Sequence, residues 1–549
     1  MQTTMMRYPL TLNHILERAG KLFPKSEIVS RLPDKSLHRH TYADFYRRAR
    51  SLAEALIGAG LKPGERVATL CWNHYAHLEA YFGIPAAAGV MHTLNLRLFP
   101  DDIAFIANHA GDRFLIVDDV LLPLLDKFKS QVKFERIFVV PLTGQPVPKG
   151  YENYEELLSG AGGCFDYPAI DENAPCSMCY TSGTTGKPKG VVYSHRSTVL
   201  HTLVAALPDA MSLSGADTVL PVTPMFHANA WGVPYVAVMV GAKQVFPGPH
   251  LGAEDLLELL EKEKITVSLG VPTIWLTLIA QLDSHPGKWK LTPGMRMLVG
   301  GSAVPESLMR AFAKHDLHII HAWGLTETSP LASLSRVKAG LQGLSEDEKF
   351  AYRAKQGIPM PLVELRLMGD NGEAPWDGAS IGEIQVRGPW VTVSYYNVPV
   401  EEDKFTKDGW LRTGDVATVD AEGYIKITDR TKDLIKSGGE WISSVDLENA
   451  IMGHPAVQEA AVIAVPHPKW GERPLAVIVL KPGAGAKAGD IRNYLAERFA
   501  KWMLPDGYAF VKEIPRTSTG KFLKTKLREE HKNWRWDEAQ SAQAVPQAL

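Results

Sequence analysis

Cysteine is scarce in this chain, with four in 549 residues. So few cannot staple a fold of this length, which excludes a disulfide-built secreted scaffold and makes a reducing cytoplasm the expected location. Cys176 and Cys179 form a C-x-x-C, but within an extended run residues three apart face opposite sides, so they are expected as core fillers rather than as ligands of one metal. Net charge is also missing. The 59 Lys and Arg against 61 Asp and Glu leave −2, with no basic field to hold nucleic acid or an anionic membrane. No apolar run reaches the roughly 18 residues of a membrane span. The N-terminus lacks the basic stretch and apolar core of a secretory signal, and the final Gln547-Ala548-Leu549 is not a peroxisomal address. No internal repeat is visible, and only the tail after Trp536 looks poor in structure. What is present is ordinary for a globular protein: 45% hydrophobic and 22% charged residues, in a chain too long for one core.

Strand-like and helix-like runs alternate through the first 300 residues. Residues 43–60 place Phe45, Ala49, Leu52, Ala53 and Leu56 at helical spacing and close on glycine. The run RVATLCW (66–72) predicts a strand, HLEAYFGIPAAAGVM (77–91) a helix, and RFLIVDD (113–119) another strand. A second cycle follows between about 235 and 300: AKQVFPG, DLLELLEKEK, ITVSLGVP and MRMLVGG. Such alternation predicts an α/β protein with two parallel sheets covered by helices. From about 357 the runs become short and alternating, broken by Asn371-Gly372 and Glu422-Gly423, which predicts a small antiparallel barrel or sheet over 357–430. Beyond it, SSVDLENAIMGH reads as a helix, EAAVIAVP and PLAVIVLKPG as strands, and KAGDIRNYLAERFA as a helix. The expected organisation is a large domain over 1–430 and a smaller, mobile α+β domain over 431–549.

The stretch TSGTTGKPKG (181–190) carries the most chemistry. Thr181, Ser182, Gly183, Thr184, Thr185 and Gly186 are all small, and Lys187 and Lys189 flank Pro188. Glycines let a backbone approach a ligand closely, and their N–H groups can converge on an anion. Hydroxyls add short donors and lysines add charge, so the loop is suited to a polyphosphate. It is not a Walker A loop, because Gly186-Lys187 is followed by proline rather than by Ser or Thr. Strand-like runs on both sides, CSMCY and GVVYS, place it at the tip of a hairpin.

The sequence YTSGTTGKPKGV resembles the phosphate loop of the adenylate-forming superfamily, which holds acyl-CoA synthetases, peptide-synthetase adenylation domains and beetle luciferases. In that family's order follow PMFHANAWG (224–232), GGSAVP (300–305), WGLTET (323–328), RTGD (412–415), DRTKDLIKSGGEWIS (429–443) and PRTSTGK (515–521). The resemblance covers nearly the whole chain. The FHANAW and SGGEWIS variants look most like medium- and long-chain fatty acyl-CoA synthetases.

Residue chemistry and resemblance then assign roles together. Glu327 is a hard oxygen ligand suited to Mg²⁺, and Thr326 can bond a phosphate oxygen. By resemblance Thr326 contacts the α-phosphate, Glu327 holds Mg²⁺, and Trp323 with Gly324 stands by the adenine. Gly301, Ser302 and Ala303 are small enough to admit a planar base, which the family places beside them. Asp415 can accept from both hydroxyls of a ribose diol, a role the family gives it, with Arg430 as partner. Lys521, on a Ser/Thr/Gly turn, resembles the catalytic lysine, whose ammonium suits the charge developing at the α-phosphate. In CoA-using members the loop matching Lys436, Gly438, Gly439 and Trp441 lines the pantetheine tunnel. His227 and Trp231 fall where the family's acyl pocket adjoins the phosphates, and Lys432 falls at the family's pivot between domains. Taken singly, each has a plain alternative: Asp415 as a turn residue, Gly300-Gly301 as a tight turn, Trp231 as core, and Lys521 as one surface lysine in a basic stretch with Lys524, Lys526 and Arg528.

The resemblance implies a two-step reaction in which a carboxylic acid, ATP and coenzyme A, with Mg²⁺, give an acyl-CoA, AMP and pyrophosphate through an acyl-adenylate. Medium- and long-chain fatty acids are the first expectation. Short thioether acids such as 3-methylthiopropionate, branched acids and aryl acids stand behind them. A luciferase-like oxygenase and an enzyme loading a carrier protein are further alternatives, although the chain shows no carrier segment of its own. Dimers are common among relatives of this branch.

Overall fold

The computed structural model describes residues 2–162, 165–181, 187–399, 401, 403–438, 440–517 and 521–536. The first sheet has seven strands. Arg66–Leu70 at its centre runs parallel to Val90–Thr93 and Asp112–Asp118, and the Val90–Thr93 strand runs parallel to Pro175–Tyr180. Only the last pair is antiparallel, Pro175–Tyr180 with Gly190–Ser194, so the phosphate-loop sequence connects two hairpin strands as its flanks predict. The second sheet has nine strands. Its parallel centre includes Thr218–Pro221, Val267–Gly270, Met295–Gly300 and Leu317–Gly324.

Helices Tyr42–Gly58 and Tyr75–Ala86 lie between the sheets. One hydrophobic core takes Val67, Phe114 and Phe138 from the first sheet, Ile28 and Phe246 from the second, and Leu52, Tyr81 and Phe82 from these helices. Every residue of Tyr75–Ala86 is buried, which is why its sequence shows no polar stripe. This helix is shorter than predicted. It stops at Ala86, Ala88 turns left-handed with φ 59°, and Val90–Thr93 continues as a strand. The turn is tightly packed, since a Cβ at Gly89 would stand 2.9 Å from the end of the Leu61 side chain and 3.1 Å from Ile84. Cys176 and Cys179 are both buried and face different cores, as expected of residues three apart on a strand.

The β-rich region is a five-stranded antiparallel sheet with a linear strand order, running from Gly372–Glu373 through Glu364–Gly369, Gly382–Arg387 and Leu411–Val419 to Ile425–Arg430. Its Leu367, Ile384, Val386 and Leu411 share a core with Leu298, Ile320, Ala322 and Trp323 of the second large sheet. The C-terminal region builds its own sheet around the long antiparallel pair Val457–His467 and Gly471–Leu480. Helices Ser444–Met452 and Ala488–Ala496 cover one face, and Lys524–Glu530 covers the other. Ser444 N donating to Asp429 (2.8 Å) ties this region to the end of the preceding sheet, and Arg528 paired with Asp433 (2.6 Å) holds its first residues to its last helix.

Candidate active site

The parallel strands of the second sheet end at Gly300 and Gly324, and the segments leaving them wall a cavity of about 430 Å³. Crevices beyond the carboxyl ends of parallel strands are where α/β folds place ligands. Glycine is required at the strand ends. A Cβ at Gly324 would stand 1.7 Å from the Pro330 carbonyl oxygen, and one at Gly300 would stand 2.6 Å from that of Ala322. The cavity is lined by Thr181, Lys189, His227, Trp231, Gly301, Trp323, Gly324, Thr326, Glu327, Arg430, Lys432 and Lys521, so sequence-nominated residues from six separate segments meet there. A second space of about 200 Å³ adjoins it and adds Ser302, Ala303 and Asp415 to Gly301, Arg430 and Lys521.

Three arrangements fix the polar groups. Asp415 is buried between Trp323, whose indole N–H donates to Oδ2 at 2.8 Å, and Arg430, whose Nε donates to Oδ1 at 3.2 Å. Each oxygen keeps a lone pair for a further donor, so the carboxylate can still accept from a diol. The Asp415 charge, set against burial, also holds the Arg430 guanidinium firmly protonated. Glu327, likewise buried, accepts a 2.6 Å bond at Oε1 from the Tyr395 hydroxyl while lining the cavity. Tyr193 OH donates to the Thr326 carbonyl at 2.7 Å, which fixes the short helical turn that carries both residues. At the loop base, Thr181 N donates to Lys189 O (2.9 Å) and Lys189 N to Thr181 Oγ1 (3.1 Å), and the Lys189 ammonium pairs with Glu401.

Lys521 enters this cavity from the C-terminal region. Its turn is closed by Thr517 N donating to Lys521 O at 2.8 Å. Burial and the neighbouring Arg430 charge pull its ammonium pKa down to about 8, against the opposing pull of Asp415 and Glu327. His227, across the cavity, is pushed down to about 4 by burial and by the charges of Lys521 and Arg97, so it is neutral at pH 7. Trp231 is the last non-glycine residue of a left-handed run in which Ala228, Asn229, Ala230 and Trp231 have φ of 43°, 52°, 47° and 57°. This conformation costs L-residues about 1–2 kcal/mol each and persists only where surrounding contacts dictate it.

Not every nominated residue is brought here. Lys436, Gly438 and Trp441 lie on the hairpin Ile435–Ser437 and Glu440–Ile442, away from the lining of both spaces. Trp441 is 43% exposed, with the Lys436 ammonium 5.2 Å from its ring centre. Ser182, Gly183, Thr184, Thr185, Gly186 and Gly439 lie outside the described residues. The sequence reading missed Tyr395, Glu401 and Lys404, all of which line the cavity. Nothing in SYYN or EEDK signals it, because their partners are distant in sequence. The basic stretch after Lys521 is also not solvated throughout, although Lys526 is exposed. The Lys524 ammonium is buried against Glu448 (2.7 Å) and Ser444 (2.6 Å).

A hairpin that carries Thr181 and Lys189, a buried carboxylate braced by Trp323 and Arg430, a second carboxylate facing the cavity and a lysine brought in from the C-terminal region thus share one site. The family model described as "AMP-binding enzyme" matches residues 16–396, and the "AMP-binding enzyme C-terminal domain" matches 446–521. The chain belongs to this family of adenylate-forming enzymes. Among its relatives is a long-chain-fatty-acid–CoA ligase of Thermus thermophilus, 51% identical over 97% of this chain and 97% of the relative. A medium-chain-fatty-acid–CoA ligase of Ectopseudomonas oleovorans (96% of this chain, 97% of the relative) and a 3-methylmercaptopropionyl-CoA ligase of Ruegeria lacuscaerulensis (96% and 98%) are each 43% identical. Among solved structures, an anthranilate CoA ligase in complex with anthranoyl-AMP superposes with a TM-score of 0.85 at 27% identity, covering 96% of this chain and 98% of the other.

Proposed function

We propose that the chain is an AMP-forming acid–thiol ligase that joins a medium- or long-chain fatty acid to coenzyme A. The observation that carries this reading is the cavity in which Lys521, Glu327, Arg430, His227 and Trp231 converge. The acid carboxylate attacks the α-phosphorus of ATP in line, a new P–O bond forms, and pyrophosphate leaves. The CoA thiolate then attacks the acyl carbon, the C–S bond forms, and AMP leaves. Lys521 stabilises charge on the α-phosphate in the first step, and Thr326 donates to the same phosphate. Asp415 and Arg430 hold the ribose, with Trp323 bracing Asp415. Gly301, Ser302, Ala303 and Gly324 border the adenine, while Lys189 and the 181–186 loop hold the outer phosphates. A carboxylate with one oxygen pinned by Tyr395 and the rest of it facing the cavity fits Mg²⁺. Bound there, the ion offsets phosphate charge. Most of the catalysis is positioning and electrostatics.

The large domain ends at 430, and the remainder turns about Lys432. This orientation, with Lys521 in the cavity and Lys436, Gly438 and Trp441 outside it, suits the first step. Rotation brings the 436–441 loop to the cavity for the thiol. His227 and Trp231 wall the acyl end. The similarity at 51% identity to a long-chain ligase favours fatty acids. The similarity at 43% to a 3-methylmercaptopropionyl-CoA ligase supports a short thioether acid as the second reading. A cytoplasmic homodimer completes the proposal. It is tested by incubating the enzyme with ATP, Mg²⁺ and an acid, first without CoA and then with it. Enzyme-bound adenylate with one pyrophosphate per site, converted by CoA to one thioester and one AMP, is expected. Adenylate that CoA leaves untouched, or light emission on its oxidation, would reject the CoA-ligase reading.

A further inference from the structure

Ala228 through Trp231 form the longest run of left-handed non-glycine residues among those described. Of the four, Asn229 is the type that best tolerates this region, and its side chain does more than tolerate it. The Asn229 amide is buried at 3% exposure. Its Nδ2 donates to Ser177 Oγ at 3.1 Å, and its Oδ1 accepts from the Cys179 thiol at 3.3 Å. Ser177 and Cys179 are two apart on the strand Pro175–Tyr180, so they share one face, and that strand leads directly into Thr181. The turn is fenced at its other end. Gly232 continues it at φ 78°, where a Cβ would stand 2.8 Å from the His201 imidazole. His201 cannot retreat freely, because its Nε2 accepts from Leu331 N at 3.2 Å and its ring meets Trp390 edge-on. Between these two anchors the backbone has one course, and it delivers the Trp231 indole into the cavity wall.

We infer that Asn229 is a positioning residue: its bonds to Ser177 and Cys179 set where the Trp231 indole stands, and so which acyl chains the cavity accepts. The inference rests on the proposed role of Trp231 at the acyl end. Asn229 lines neither of the two spaces, so its effect is expected on acid choice, through Trp231, and not on ATP.

The test compares Asn229→Gly, which still permits the left-handed backbone but removes the anchor, with Trp231→Ala and the parent enzyme. The readouts are kcat/KM for straight-chain acids from C4 to C18, KM for ATP, and Tm. In Asn229→Gly the ratio between short and long acids should move in the same direction as in Trp231→Ala, by about tenfold, the scale on which apolar pockets discriminate chain length. KM for ATP should stay within about twofold, since uniform nucleotide binding is untouched. A shifted profile in Trp231→Ala with an unchanged one in Asn229→Gly overturns the inference and leaves the role of Trp231 standing. Unchanged profiles in both overturn that role and the inference with it. An equal loss with every acid plus weakened ATP binding would mark Asn229 as purely structural. Should Asn229→Gly fail to fold, Ser177→Ala removes only the partner hydroxyl. It should shift the profile in the same direction by less, and an unchanged profile there also overturns the inference.

Discussion

Replacing Lys521 by alanine separates the two half-reactions. The ammonium stands in a cavity beside Arg430 and within the fields of Asp415 and Glu327, and burial has already lowered its pKa to about 8. A charge that is costly to keep in so dry a place is repaid when negative charge builds on the α-phosphate. Removing a single donor of this kind costs about 10²–10³ in kcat, or about 2.7–4 kcal/mol. Acid-dependent exchange of labelled pyrophosphate into ATP should fall by that factor. Thioester formation from supplied acyl-adenylate and CoA should stay within about twofold, because Lys521 acts only in the first transition state. The pH dependence follows with a definite sign. The ammonium is the active form, so kcat/KM for exchange should be level below pH 8 and fall about tenfold per unit above it, with the free-enzyme pKa read from that limb. Lys521→Arg should carry the level region to higher pH, since a guanidinium stays protonated. Equal losses in both half-reactions, or a limb that ignores the Arg substitution, would refute the assignment.

Further expectations concern the hinge, the metal ligand and the fold. Lys432→Pro should leave pyrophosphate exchange largely intact and cripple thioester formation, because a fixed φ near −65° hinders rotation at the pivot; normal rates in both would place the pivot elsewhere. Tyr395→Phe removes the 2.6 Å bond to Glu327, and the Mg²⁺ concentration needed for half-maximal exchange should rise about ten- to a hundredfold; an unchanged Mg²⁺ requirement would detach Glu327 from the metal. Lys524→Ala strands the buried Glu448 carboxylate and should cost about 3–5 kcal/mol in urea unfolding, partly restored by adding Glu448→Gln. A loss below about 1 kcal/mol would mean that Glu448 is not left as an unpaired charge.

Much of this was legible in the sequence because the signals are local. Hairpin flanks bound the phosphate loop, and the run MRMLVGG announced the strand that ends at Gly300, one of the two strand ends around which the site is built. The assembly of Thr326, Glu327, Asp415, Arg430 and Lys521 was legible only through resemblance, since single residues in turns have no periodicity. What escaped has physical reasons. Tyr395 acts through Glu327, 68 positions away, and Lys524 acts through Glu448, 76 positions away, so neither leaves a trace in spacing. The left-handed course of 228–231 was hidden because its only glycine, Gly232, comes at the end. The helix over Tyr75–Ala86 was overextended because alanines that suit a helix run on past the point where Gly89 and Val90 turn into a strand.

The most direct measurement is a competition in one vessel. Enzyme, ATP, Mg²⁺ and CoA are given an equimolar mixture of straight-chain acids from C2 to C18, 3-methylthiopropionate, a branched acid and benzoate, and thioesters and AMP are counted early by mass spectrometry. Medium- and long-chain acyl-CoA should dominate, with one AMP for each thioester. Dominance of the thioether, branched or aryl thioester, or AMP accumulating without thioester, would contradict the account.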